Sequence, residues 1–293
     1  MLAYADGFPL DGIAMKFLPL ALLLLSPAAF ACDTSSLPLS GIVQVDTCHD
    51  MQSATCVYAT KAVYEYGQAV PDTDEVLTIL VPSSPWHLFD SEMRIVTIDA
   101  MVAAIRPKLT AKVKRVELIG SWTGVSPVPG APSLAQRLSR ALDGMSVKGE
   151  DGFLWLSSDG SRHTTHQAYS VRDGGGSYFV PKGRDVFVSL ASGWPAGVED
   201  RIPADDLAMR TAAAAGWEVL FLCPDRALAG YESTAEKGGA IAAYNAAIMR
   251  LERNGEGDRD AALKWLERAA ALGDAPSRER LAQERPVQER AAK

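Results

Sequence analysis

The sequence predicts an α+β protein, in which a mixed-sheet domain with helices is followed by a short all-helical stack. Between residues 76 and 225, apolar runs of strand length alternate with stretches of helical spacing. From Ala227 to Leu281, a pattern of small and apolar residues recurs after 35 positions, again with helical spacing. The predicted organisation is a signal peptide at 1–31, a cysteine-containing arm at 32–75, the α+β domain at 76–225, the helical stack at 226–284 and a tail at 285–293.

Individual elements of the α+β domain are predicted from apolar runs and from residues that begin or end a helix. The predicted strands are residues 76–81, 115–119 and 153–156, and the predicted helices are residues 98–105 and 134–142. The first helix is expected to stop before Pro107, and Ser133 is expected to cap the second. Alternation of this kind favours some parallel pairing. Further along, residues 186–190 alternate like a strand, and residues 217–222 form a continuous apolar run that also predicts a strand.

The first 31 residues have the pattern of a secretory signal. Met15 and Lys16 open a basic start, an apolar run follows, and Ala29-Phe30-Ala31 is a small-x-small cleavage site. The apolar run is too short for a stable membrane-spanning helix, so no integral membrane segment is expected after processing. We therefore expect translation to start at Met15 and the mature chain to be periplasmic or secreted. An outer-membrane lipoprotein anchored through Cys32 is the less favoured alternative.

The charge balance indicates which partners to exclude. The chain carries 29 basic and 36 acidic residues, a formal net charge of −7. A protein of this sign has no electrostatic attraction to nucleic acid or to an anionic membrane. Nucleic-acid binding is therefore not expected.

Four cysteines predict two disulfides, because an even count in an exported chain is typical of structural cross-links. They are Cys32, Cys48, Cys56 and Cys223. Four cysteines allow three pairings, and the sequence does not choose among them. The pairing we favour is Cys48–Cys56 as a local loop and Cys32–Cys223 as a tie to the N-terminal arm. A Cys-x-x-Cys motif is missing, so neither a metal site nor a redox site is predicted.

The C-terminal pattern resembles the Sel1-like repeat, a relative of the tetratricopeptide repeat, over about 55 of the 293 residues. The matching residues are Ala243-Tyr244-Asn245, Gly255, Ala262, Trp265, Ala269-Ala270, Gly273 and Leu281. The pattern departs from the family at Ala246-Ala247, where Leu-Gly is usual. Such arrays need about three repeats to be stable alone, so this shorter stack is expected to be stabilised by packing against the preceding domain. The resemblance implies protein–protein binding; envelope proteins of this kind include adaptors, regulators and immunity proteins that neutralise toxic effectors.

A second resemblance concerns the middle region. His87-Leu88-Phe89-Asp90, then Val116-Glu117-Leu118-Ile119-Gly120, then Leu134-Ala135-Gln136-Arg137 follow the order of an OmpA-like peptidoglycan-binding domain. That family places His-Thr-Asp after its glycine, and the Asp and a later Arg hold the ligand. Here Ser121-Trp122-Thr123 stands instead, without a carboxylate, and Arg137 is one position off the usual register. The resemblance implies a related topology and makes peptidoglycan binding an alternative function.

Motifs for catalysis are weak. Gly120-Ser121-Trp122-Thr123-Gly124 follows a predicted strand, but its glycine directly precedes the serine, which is not the spacing of a nucleophile elbow. An envelope hydrolase stays as a further alternative, with a nucleophile among Ser121, Ser157 and Ser158. His163 and His166 are expected to be exposed strand residues rather than metal ligands, and His49 and His87 are isolated. No catalytic residue, metal or cofactor is predicted.

The favoured function is therefore binding of another protein, with an effector that targets the envelope as one candidate partner. Trp122 lies in a loop rich in Gly, Pro and Ser, where an aromatic side chain can anchor a partner. Tyr244, Arg250 and Trp265 are the contact candidates in the repeat, although Trp265 suits packing between helices better.

Overall fold

A computed structural model describes residues 37, 39–45, 48, 55–71, 73–171 and 179–291. These residues all belong to one compact unit, Ala31–Lys293. The predicted signal peptide and Cys32 lie outside the described residues. The described part combines several small sheets with many helices, which confirms the α+β class.

The first part of the chain contains all of the strands. In chain order, its elements are β1 (Ile42–Val45), β2 (Cys56–Tyr58), α1 (Ala59–Ala69), β3 (Val76–Leu80), β4 (Leu88–Phe89), β5 (Ile95–Val96), α2 (Ile98–Ile105), a 3-10 turn (Arg106–Lys108), β6 (Arg115–Ile119), α3 (Leu134–Ala141), β7 (Ser146–Lys148), β8 (Phe153–Leu156), β9 (Arg162–Thr165), β10 (Ala168–Val171), β11 (Phe179–Pro181) and β12 (Val186–Phe187).

The second part is helical. Its elements are α4 (Val188–Gly193), a 3-10 segment (Trp194–Arg201), α5 (Leu207–Val219), α6 (Pro224–Glu236), α7 (Ala240–Arg253), α8 (Asp258–Ala271) and α9 (Ala275–Ala291). Helix α9 extends into the segment predicted as a tail, as far as Ala291.

The central sheet has the order β3-β6-β7, and both of its pairs are parallel. Helix α2 makes the crossover from β3 to β6, and α3 makes the crossover from β6 to β7. Their apolar faces cover this sheet through Met101, Ile105, Leu134 and Leu138. Strands β12-β8-β9 form a separate antiparallel sheet. The predicted parallel pairing is therefore confirmed for the strands predicted at 76–81 and 115–119, which are β3 and β6, whereas the strand predicted at 153–156, β8, belongs to the antiparallel sheet.

Elements with strong local sequence signals have the bounds that the sequence predicts. The helix at 98–105 and the strands at 115–119 and 153–156 have the predicted bounds. Ser133 caps α3 through a reciprocal capping box, in which its hydroxyl accepts from the Gln136 amide while the Gln136 side chain accepts from the Ser133 amide.

Two predicted strands are wrong. Residues 217–219 belong to α5, and only residues 186–187 of the segment 186–190 are extended before α4 begins. A short apolar run that is buried on every side has no periodicity that separates a strand from a helix. The preceding Ala-rich residues favour helix, and α5 continues through them to Val219.

Helices α5 to α9 form a stack in which each helix packs against the next, so the helical part begins before position 226. Pro224 opens α6 at a position where its missing N–H is not needed. Asn254 ends α7 in the left-handed conformation with φ 51°, as the Asn254-Gly255 signal predicts.

The stack rests on the β4–β5 hairpin. Asn245 of α7 accepts from the Ile95 amide at 2.8 Å and donates to the Met93 carbonyl at 2.8 Å. Arg94 makes a bidentate pair with Asp274, with its shorter hydrogen bond at 2.6 Å. Phe89, Met93 and Ile95 are buried in the same core as the helices. The hairpin thus supplies α7 with hydrogen bonds and the helical stack with buried apolar contacts.

One predicted disulfide is confirmed. Cys48 and Cys56 are bonded, with their Cα atoms 6.3 Å apart. Cys223 is also disulfide-bonded. Cys32, its predicted partner, lies outside the described residues. None of the cysteines within the described ranges is free.

The Asn245 contact gives a test of the hairpin as the support of the stack. Asn245→Ala leaves the buried Ile95 N–H and Met93 C=O without partners, and each such loss costs about 1–3 kcal/mol. We expect urea unfolding to show a loss of about 2–4 kcal/mol. Gln283→Ala, an exposed change on α9, serves as the control. Equal effects of the two changes would contradict the role given to Asn245.

Candidate functional site

A groove lies where the loop at 120–132 faces helices α6 and α7. Its volume is about 540 Å³, within the usual size of ligand and peptide sites. One wall is the Pro-rich loop and the other is helical. The apolar lining consists of Trp86, Pro127, Val128, Pro132, Leu228 and Met249. Val128 is 43% exposed, which is unusual for a large aliphatic side chain in this chain and leaves an apolar surface open to a partner.

At the base of the groove, four elements meet in a buried network of charges. His87 precedes β4, and its Nδ1 lies 2.8 Å from Oε1 of Glu218 on α5. The Ser84 hydroxyl donates to the same oxygen, and Ser84 Oγ accepts from the His87 amide at 3.0 Å. Glu218 is completely buried and His87 is 6% exposed. Each charge would be costly to bury alone, so the two positions depend on each other.

The network continues to the surface through Glu252 of α7. Its Oε2 lies 3.3 Å from Nε2 of His87, which is the separation of an ion pair without the alignment of a hydrogen bond. Its Oε1 accepts from Arg137 of α3 at 2.9 Å. Arg137 also donates to the Trp86 carbonyl at 3.3 Å. Two cations and two carboxylates therefore compensate one another across α3, α5, α7 and the segment before β4.

The pKa values of His87 and Glu252 move in opposite directions. Burial alone would lower the pKa of His87, but the charge and hydrogen bond of Glu218, reinforced by Glu252, outweigh it and raise this pKa to about 10. Burial would raise the pKa of Glu252, but His87 and Arg137 outweigh it and lower this pKa to about 2. Both groups are therefore ionised at neutral pH. A protonated imidazole has no free nitrogen to accept a proton, so His87 is suited to a fixed cation rather than to a general base.

Asp225 differs from the other charged side chains that line the groove, because within the described residues it is not held in an ion pair. Arg253, across from it, is hydrogen-bonded to Asp258 at 2.6 and 2.7 Å. Asp225 lies exposed in the first turn of α6, and within the described ranges its carboxylate has no ion pair. Arg253 interacts with Asp225 electrostatically but is hydrogen-bonded to Asp258, so the rim of the groove carries a carboxylate without a direct ion-pair partner.

The position of Trp122 does not favour a contact role. Its side chain is 0% exposed, and its backbone has φ 65°. The ring packs edge-on against Phe153 at 5.2 Å and stacks on His166 at 5.5 Å between centroids. It fills the core beneath the loop, and the Pro and Val residues after it form the exposed wall.

The three contact candidates predicted in the C-terminal helices are packed among those helices. Tyr244 is 6% exposed, with the Arg94 guanidinium 5.0 Å from its ring centroid. Arg250 ties three helices together, because it reaches Glu232 of α6 at 2.5 Å and Asp258 of α8 at 2.9 Å. Trp265 packs against the core, and its Nε1 lies 3.3 Å from Glu232. All three are placed to hold helices together.

The residues considered for catalysis are not assembled into a site. Ser121 is 1% exposed; its Oγ lies 2.6 Å from Ser189 Oγ and accepts from the Leu154 amide. Ser157 and Ser158 lie at the turn after β8. His163 is exposed on β9 and stacks on Trp155. Within the described part of the chain, no three His, Cys, Asp or Glu side chains group as metal ligands do.

Sequence reasoning missed the charge network. His87 is isolated in the sequence, because its partner Glu218 is 131 residues away. One signal was available: Glu218 is a single acid inside a run predicted to be buried, and a buried charge requires a partner. Nothing in the sequence identified that partner.

Only part of the chain matches a known protein family. A family described as "Domain of unknown function (DUF8616)" matches residues 52–164, less than half of the chain. The match includes His87, Arg137 and the loop wall of the groove, and it ends before the helical wall. No curated protein and no solved structure matches. Among the helices of the described ranges, none has both the length and the apolar character to span a bilayer.

The pKa values predict how stability depends on pH. The folded pKa of His87 is raised, so its stabilisation is complete below about pH 6.5 and is lost as pH rises through about 10. The folded pKa of Glu252 is lowered, so its stabilisation is complete above about pH 4.5 and is lost as pH falls through about 2. We expect the stability difference between wild type and His87→Gln, measured by urea unfolding, to shrink steadily from pH 6 to pH 10.

His163→Gln, at an exposed histidine, is the control for this series. A difference between wild type and His87→Gln that stays constant from pH 6 to pH 10 would contradict the buried ion pair.

Proposed function

We propose that this chain is an exported protein of the bacterial envelope that binds another protein, as an adaptor, a regulator or an immunity protein. The groove between the loop at 120–132 and helices α6 and α7 carries this proposal. It is open, largely apolar and of a size that accepts side chains of an extended segment.

The helical wall supports the proposal. Consecutive helices α6 to α9 pack against one another, as the resemblance to Sel1-like repeats implies. Repeats of that class bind proteins on surfaces made by successive hairpins. Here the inner surface of α6 and α7 contributes Leu228 and Met249 to the groove, and the α+β part contributes the opposite wall.

The chemistry of the partner follows from the lining. An apolar side chain would occupy the space between Val128 and Met249, where it removes apolar surface from water. Next to it, a Lys or Arg of the partner would pair with Asp225, since the other groove charges already compensate one another. The net charge of −7 would attract such a basic partner over a longer range. The occupant proposed is therefore an extended protein segment with an apolar residue beside a basic one.

The site chemistry supports binding over catalysis. His87 is held as a cation by Glu218 and Glu252, and Ser121 is buried against Ser189. The Cys48–Cys56 disulfide and the bonded Cys223 are compatible with a location outside the cytoplasm. Within that compartment, we propose the periplasm as the location and an effector directed at the envelope as the partner class.

A groove variant tests the site. Val128→Arg places a long cationic side chain in the groove, and we expect it to remove the partner that the wild-type chain retains in a pull-down from its own cells. Leu272→Arg, at an apolar residue 49% exposed at the end of α8, is the matched control and should retain that partner. Retention of the same partner by both variants would argue against the groove as the binding site.

The charge of Asp225 gives a second test with the partner thus obtained. Asp225→Lys should weaken binding about tenfold at low ionic strength, with a smaller effect as salt rises, because rim charges are screened. Asp260→Lys is matched, since Asp260 is also exposed and lies in the first turn of a helix, α8. Equal weakening by the two substitutions would assign the effect to net charge alone.

A further inference from the structure

A second cavity lies on the other side of the Arg137–Glu252 pair. Its volume is about 350 Å³, and its lining is mostly polar. It is bounded by the N-terminus of α2 and by side chains of α3, α7 and α9. We call it the arginine pocket, because Arg137, Arg140 and Arg280 all line it.

The three arginines differ in how many hydrogen-bond and ion-pair partners their guanidinium groups have. Arg137 is committed to Glu252 and to the Trp86 carbonyl. Arg280 pairs with Glu284 at 2.8 Å, but its Nε is buried and has no hydrogen-bond acceptor. Arg140 is exposed, and within the described ranges its guanidinium has no ion pair and no hydrogen bond. The Arg140 guanidinium is therefore left for a ligand, whereas the buried Arg280 Nε is not accessible to one.

The carboxylates of the arginine pocket do not neutralise these donors. Glu252 is shared between His87 and Arg137. Asp99 lies in the first turn of α2, exposed at the opposite wall. The same turn presents the positive end of the α2 peptide dipole; the Thr97 hydroxyl accepts from the Ala100 amide, and the amides before it have no partner within the helix. Within its own lining, the pocket has three arginines against two carboxylates, Asp99 and Glu252.

We propose that the arginine pocket binds a phosphate group, either as free phosphate or as part of a small phosphorylated molecule. Guanidinium groups from two helices and the start of a third approach the cavity from different sides, which suits the several oxygens of a tetrahedral anion. The cavity is larger than a phosphate ion, so it has room for an organic substituent. The proposed phosphate site would stand even if the proposed protein-binding groove were wrong, and its test requires no partner protein.

Calorimetric titration of the full chain, in a phosphate-free chloride buffer, tests the proposal. The two probes are inorganic phosphate and glycerol 1-phosphate, and at least one should give saturable binding at millimolar concentrations. Tighter binding of glycerol 1-phosphate would assign the site to a phosphorylated molecule, and equal or tighter binding of inorganic phosphate would assign it to the free ion. Glutarate, a dicarboxylate, is the counter-probe; if it binds as tightly as phosphate, the phosphate assignment is overturned.

Variants then locate the binding. Arg140→Gln should weaken it at least tenfold, and because Arg140 is exposed, this variant should keep its fold. Arg278→Gln is the matched control, at an exposed arginine two residues from Arg280 on α9 and outside the lining. Asp99→Asn should tighten binding severalfold by removing a negative charge. Lack of binding by either phosphate probe, or equal affinity in Arg140→Gln and Arg278→Gln, would overturn the proposal.

Discussion

The placement of the helical stack depends on the buried carboxylate of Glu218. Burying a carboxylate is costly unless it is paired and hydrogen-bonded, and here His87 and Ser84 provide both. This fixes the segment before β4 against α5. The same segment continues into the β4–β5 hairpin, which holds α7 through Asn245. The position of the helical stack on the α+β part thus follows from one ion pair and the hairpin beside it.

The same charges determine the two cavities. Glu252 reaches His87 on one side and Arg137 on the other, and the Arg137–Glu252 pair forms part of the lining of both the groove and the arginine pocket. One side of this pair is lined mainly by apolar side chains of the loop and of α6 and α7. The lining on the other side is mostly polar and includes three arginines. Two surfaces of different chemistry are therefore kept apart by a single ion pair.

Elements with strong local signals could be predicted from the sequence, and the charge network could not. The helix at 98–105 has a capping residue at one end and Pro107 after the other, so its bounds are set locally. Residues 217–222 have no such signal, and whether they are strand or helix depends on what surrounds them. The pairing of His87 with Glu218 depends on the complete fold. A lone acid in an apolar run indicates that a partner exists, but not which residue it is.

The contact candidates show why a composite site is hard to find in one sequence. Aromatic residues often anchor partners, so the sequence favours Trp122, Tyr244 and Trp265 as contacts, but in the structure these large side chains pack in or against the core. The exposed apolar surface comes instead from Val128 and its neighbouring prolines, which resemble an ordinary connecting loop in sequence. The binding surface we propose has one wall from each part of the chain. Under that proposal, recognition is a property of the junction, and neither the repeat nor the α+β part would retain it in isolation.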